Sequence, residues 1–128
     1  MKTNPVNWFE IYVNDMQRAQ QFYETVLQVK LTLLPNASSN HSDMQYVTFP
    51  GAGENFGSSG ALVKIKEVKA GGNSIIIYFY CEDCSVEESR VVAAGGKIIR
   101  SKTSIGEYGF ISLFYDSEGN MIGLQSMK

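Results

Sequence analysis

Asp15 and Asp83 stand 68 residues apart, and the chain around each follows one plan. Trp8-Phe9-Glu10-Ile11-Tyr12-Val13 precedes the first, and Ile75-Ile76-Ile77-Tyr78-Phe79-Tyr80-Cys81 precedes the second. Both runs are rich in the β-branched and aromatic side chains that suit strands. After each aspartate, a residue type that caps helix N-termini, comes a stretch with helical character. The same offset sets Val13 on Cys81 and Leu31 on Ile99. Such a repeat is too long for a solenoid, where periods run about 20–50 residues. It constrains the chain to two copies of one module, each reading strand, helix, then three strands.

In the first copy the strands are expected at Asn7–Val13, Val29–Leu34, Met44–Phe49 and Ala61–Ile65. Its helix runs from Asp15 to Leu27, with Met16, Ala19, Phe22, Tyr23, Val26 and Leu27 on one face and Gln17, Arg18, Gln21 and Glu24 opposite. In the second copy the strands are Ile75–Cys81, Lys97–Arg100, Tyr108–Tyr115 and Met121–Gln125. The helix Ser85–Ala94 closes on Gly95-Gly96, and Asp116 to Asn120 makes a hairpin turn. The predicted fold class is therefore α+β: two βαβββ modules forming a curved mixed sheet around a cavity, with helices on the outer face. Residues 1–128 are expected to form a single domain, module one at about 6–65 and module two at about 74–126. At 44% hydrophobic and 19% charged residues, such a chain can bury a sizeable core.

Charge and hydropathy exclude several functions. Net charge is -2 and no Lys/Arg run stands out, so no nucleic-acid partner is expected. No segment reaches the roughly 18 uninterrupted apolar residues of a membrane helix, and the first residues lack the apolar run of a signal peptide. A cytoplasmic location with reduced cysteines is the expectation.

Val6 to Leu27 resembles the opening of the vicinal oxygen chelate superfamily, which includes glyoxalases, bleomycin-resistance proteins and dioxygenases. Arg18-Ala19-Gln20-Gln21-Phe22-Tyr23 matches its helix signature, and Val13-Asn14-Asp15 matches the V-x-D before it. Phe114 to Leu124, with Asp116-Ser117-Glu118-Gly119-Asn120, is similar to its closing turn and strand. Ala93-Ala94-Gly95-Gly96-Lys97 resembles its helix-to-strand junction. Metal-dependent members hold a divalent ion with one residue from each of four strands. Carried over one at a time, those positions fall on Trp8, Lys64, Ile76 and Gly123. An indole offers only a donor N–H, an ammonium repels a cation, and Ile and Gly carry no donor atom. The resemblance therefore implies no metal and no cofactor, and neither glyoxalase I nor extradiol dioxygenase activity is expected. The only histidine, His41, falls in a polar loop.

Side chains alternate faces along a strand, so those positions mark the face toward the cavity. Glu10 and Tyr12 then join Trp8, Leu62 joins Lys64, Tyr78 and Tyr80 join Ile76, and Met121 and Gln125 join Gly123. The predicted ligand site is Trp8, Glu10, Tyr12, Lys64, Tyr78, Tyr80 and Gln125, an aromatic pocket with few polar groups. Lys64 would meet an anionic or carbonyl-bearing ligand; alternatively, Glu10 and Lys64 form a structural ion pair. A Glu10 whose pKa is raised by burial would serve as a general base.

Other signals carry less. Cys81-Glu82-Asp83-Cys84 has the spacing of a redox pair, but its acidic centre opposes thiolate formation, and two cysteines cannot complete a zinc site. The Gly51–Gly60 run lacks a Gly-Lys-Ser/Thr ending and reads as a connection, with a lid over the cavity as one role for it. Ser104 and Ser112 have no partner histidine in a motif. Three functions stand: a metal-independent small-molecule binder similar to the bleomycin-resistance members and homodimeric like them; a lyase, isomerase or dioxygenase-type enzyme using an atypical metal site or Glu10/Lys64 acid–base chemistry; and a module for protein–protein contact.

Overall fold

The computed structural model describes residues 4–34, 44–51, 57–66 and 68–128. His41 and half of the Gly51–Gly60 run, residues 52–56, lie outside them. The repeat is realised as two βαβββ modules. The first comprises β1 (Trp8–Tyr12), α1 (Met16–Leu27), β2 (Thr32–Leu33), β3 (Gln45–Thr48) and β4 (Ser59–Lys64). The second comprises β5 (Ile77–Tyr80), α2 (Cys84–Val91), β6 (Lys97–Ser104), a short 3-10 turn at Gly106–Tyr108, β7 (Phe110–Tyr115) and β8 (Met121–Ser126).

Both helices start where the repeated aspartates place them. Asp15 is extended at φ -130 and its carboxylate accepts from the Arg18 amide, satisfying one of the donors a helix start leaves free. Asp83 does the same for the Ser85 amide. The α1 positions Met16, Ala19, Phe22, Tyr23 and Val26 are buried, which is the stripe expected from their spacing.

Each module makes a four-stranded sheet, ordered β1-β4-β3-β2 and β5-β8-β7-β6. In each, the first strand runs parallel to the last and the other pairs are antiparallel. The expected curved sheet is thus two open sheets rather than one ladder, since β1 and β5 share no hydrogen-bonded pairing. Aromatic packing joins them instead. Phe79 of β5 meets Phe9 of β1 edge-on at 5.9 Å between ring centroids, and Phe49 and Tyr23 at 5.5 and 6.1 Å. Burying a side chain of this size stabilises by roughly 1.5–3 kcal/mol, so this shared cluster is a principal bond between modules.

Several element bounds differ from expectation: β2 is only Thr32–Leu33, α2 ends at Val91, and Tyr108 belongs to the 3-10 turn rather than to β7. The β6 strand runs on to Ser104 with register shifts at Ile98/Arg100 and Arg100/Thr103. These shifts change which side chains face inward: Ile98 packs on the core and Ile99 is exposed. The structural counterpart of buried Leu31 is therefore Ile98, one residue short of the constant offset. The Asp116–Asn120 turn, expected as an ordinary hairpin, is also largely buried: Asp116, Glu118 and Asn120 all lie inside.

That turn staples module two to module one. The Asp116 carboxylate accepts from the Glu118 and Asn120 amides and from the Tyr23 hydroxyl of α1. Asn120 Nδ2 donates to the Tyr12 carbonyl at 2.9 Å. Glu118 Oε1 accepts from the Asn14 and Asp15 amides, each at 2.9 Å, and both its oxygens accept from Arg18. Burial opposes ionisation of Glu118, yet Arg18 and the two amides more than offset it and hold the carboxyl at about 2. Burial, with Asp116 beside it, pushes the Tyr23 hydroxyl well above its usual range.

Candidate functional site

Along β1 the side chains alternate as expected. Ile11 and Val13 are buried and Phe9 packs on the core, while Trp8, Glu10 and Tyr12 occupy the opposite face. On β5, Ile77 and Phe79 pack inward and Tyr78 and Tyr80 point out, 45% and 60% exposed. Between the facing edges of β1 and β5 opens a cleft of about 870 Å³, within the range of small-molecule sites. Trp8, Glu10, Tyr78 and Tyr80 line its outer part, and Phe9, Phe49 and Phe79 its depth.

Glu10 organises the outer part. Its carboxylate accepts from Trp8 Nε1 at 3.1 Å and from the Tyr12 hydroxyl at 2.8 Å, fixing the indole and phenol on either side of it. Burial first and the Glu10 carboxylate second push the Tyr12 hydroxyl up to about 12, so Tyr12 stays a neutral donor. Tyr12 lines a separate, smaller hollow of about 180 Å³, which shares Glu10 with the main cleft.

Two predicted residues fall elsewhere. Lys64 is not in the cleft, and the parity assigned to it is off by one. In β4 the residues level with Trp8, Glu10 and Tyr12 are Ser59, Ala61 and Val63. Leu62 sits level with Ile11 in the core, so Lys64 shares the helix-side parity. The alternative reading, a Glu10–Lys64 ion pair, is absent among the described residues; their two ion pairs are Arg18–Glu118 and Lys102–Asp83. Gln125 is level with Tyr80, as parity required, but its amide donates to the carbonyls of Tyr108 and Ser126 and lines neither hollow.

The four positions matching the superfamily's metal ligands do not fit an ion. Trp8 and Ile76 reach the cleft, but neither carries a lone pair suited to a divalent cation. Lys64 has the wrong face and charge. Gly123 lies level with Tyr78, and a Cβ built on it would meet that ring at 2.4 Å. The phenol thus lies over the bare strand where a longer side chain would stand. Among the described residues no group of three or more His, Cys, Asp or Glu comes together.

Sequence reasoning did not single out Glu87, which lines the cleft from α2. The signal was present: Cys84, Glu87 and Val91 share one helical face, and a carboxylate among apolar neighbours marks an inward charge. Cys81 and Cys84 are both buried free thiols. Burial pushes the Cys81 thiol up to about 12, with the nearby Glu87 carboxylate adding to it, which opposes thiolate chemistry.

Known proteins share this architecture. A curated glyoxylase-like domain-containing protein from Didymella fabae is 28% identical over 116 residues, covering 90% of this chain and 88% of that one. The antibiotic-binding protein TnmS3 from Streptomyces sp. CB03234 superposes with a TM-score of 0.69 at 22% identity, covering 100% of this chain and 99% of that one. Glyoxalase I from Zea mays superposes with a TM-score of 0.71 at 22% identity over 93% of this chain, which spans only 44% of the maize protein. A family model matches residues 6–124, and the chain accordingly belongs to the Glyoxalase/Bleomycin resistance protein/Dioxygenase superfamily.

Proposed function

We propose that the protein binds a planar aromatic small molecule in the cleft between β1 and β5 without a metal ion. The observation that carries this reading is the cleft's lining, where Trp8, Tyr78 and Tyr80 join a carboxylate held in place by two donors. Rings of this kind stack on flat ligands, and a few fixed polar atoms orient them. The antibiotic-binding role of the similar protein TnmS3 is in keeping with it. The donor chemistry at Trp8, Ile76 and Gly123 supports a metal-independent mode. Acid–base catalysis by Glu10 with Lys64 lacks support, because the two side chains project from opposite faces.

We further propose a homodimer in a cytoplasmic setting, the second copy covering the rim where Ile75, Tyr78 and Tyr80 are exposed. Sedimentation velocity tests the dimer: a monomer at tens of micromolar counts against it.

Trp8 is the only tryptophan, so its fluorescence reports on the cleft directly. The test is a screen of aromatic compounds read by Trp8 quenching and by melting temperature. Hits should lose about tenfold or more in affinity in Tyr78→Ala and, by calorimetry, in Trp8→Ala. Hits that bind both variants unchanged would remove the cleft as the site. Elemental analysis showing stoichiometric nickel, zinc, iron or manganese would overturn the metal-independent mode.

A further inference from the structure

The charge of the cleft is carried by Glu10 and Glu87; no Lys, Arg or His stands among its described lining residues. Glu87 occupies an unusual position for a carboxylate. Its helical neighbours Cys84 and Val91 are fully buried, and the 68-residue offset sets it on Ala19, which is also fully buried. Where module one packs a methyl group, module two points an acid toward the cleft. Glu87 Oε1 is buried and accepts no hydrogen bond, the single side-chain oxygen or nitrogen so stranded among the described residues. A buried acceptor without a donor is costly, and native structures rarely keep one without a use for it. The Cys81 thiol, a weak donor, hydrogen-bonds the Glu87 carboxylate and leaves Oε1 without an N–H or O–H partner.

Two carboxylates in an apolar cleft attract a cation and repel an anion. The faces of Trp8, Tyr78 and Tyr80 do the same through their ring quadrupoles. We propose that Glu87 anchors a positively charged N–H group of the ligand, so that the cleft takes planar organic cations, with Glu10 as the second carboxylate beside the rings. This rests on the reading of the cleft as a small-molecule site. It assigns the ligand's charge and one of its functional groups, and it reverses the anionic preference that Lys64 suggested.

The test uses three dyes and isothermal titration calorimetry on the full chain. Proflavine is a flat cation with two primary amines, acridine orange is its analogue with the amine hydrogens replaced by methyls so that only the charged ring N–H remains, and 1-anilinonaphthalene-8-sulfonate is an aromatic anion. Wild type should bind proflavine about tenfold or more tighter than the anion and acridine orange in between. Glu87→Gln should lower proflavine affinity by about tenfold, and acridine orange affinity less, with melting temperature retained. Proflavine binding unchanged in Glu87→Gln would overturn the anchor. Tighter binding of the anion would overturn the cation preference while leaving a small-molecule cleft. No binding of any dye, with Trp8 fluorescence unmoved, would remove the cleft reading and this inference together.

Discussion

Replacing Glu118 with Gln should destabilise the protein by about 2–4 kcal/mol, although no surface-turn residue would behave so. The side chain is 0% exposed and its two oxygens serve four donors from α1 and its cap: the Asn14 and Asp15 amides and two nitrogens of Arg18. Glutamine replaces one of those oxygens with a donor NH2. Whichever way the amide turns, N–H faces N–H, against either the guanidinium or the two backbone amides. Arg18 is half exposed and recovers water, which keeps the cost below that of a fully buried pair. The acid–base balance gives a similar figure: a carboxyl at about 2 in place of 4.5 corresponds to about 3 kcal/mol at neutral pH. Because the folded pKa is depressed, that stabilisation is present above pH 4.5 and is lost as pH falls toward 2. Urea unfolding at pH 7, 5 and 3 should show a gap between wild type and Glu118→Gln that is full at 7 and shrinks at 3. A gap under about 0.5 kcal/mol at pH 7, or one that does not narrow at pH 3, would refute the staple.

Cys81 and Cys84 should react with a water-soluble disulfide reagent at least a hundredfold slower in native protein than in guanidinium, since both are buried and the Cys81 thiol stands near 12. Two thiols titrating rapidly in native protein would contradict that burial. Gly123→Ala should leave melting temperature within a few degrees, because the half-exposed Tyr78 ring can swing aside from the new methyl. It should nevertheless weaken dye binding several-fold by moving that ring in the cleft, and titrations indistinguishable from wild type would show the ring's position does not matter.

Much of the fold was legible because the duplication forces local choices to agree. Asp15 and Asp83 cap their helices, and the strand alternation on β1 and β5 sorts Phe9, Ile11 and Phe79 inward from Trp8, Glu10, Tyr78 and Tyr80 outward. What failed were quantities that depend on register. Lys64 was assigned by counting along the chain, but facing is decided by the partner level with it, and Leu62 stands beside Ile11. The bulges in β6 shifted Ile99 for the same reason. The staple was unreadable because Asp116, Glu118 and Asn120 have the composition of a solvated turn, and only tertiary packing makes donors of Tyr23, Arg18 and the α1 cap. Glu87, by contrast, is legible, since it shares a helical face with the buried Cys84 and Val91.

The missing ladder between β1 and β5 has a broader effect. Strands zipped together would stand at a fixed spacing of about 4.8 Å, leaving no room for a guest. Here the two strands are held apart by Phe9 and Phe79, one ring from each, with centroids 5.9 Å apart. Trimming either ring would therefore deepen the cleft at some cost to the packing between modules, while the hydrogen-bonded ladders on both flanks stay whole. Such a molecule can exchange one guest for another by small substitutions at its midline, with the ladder of each sheet secured elsewhere.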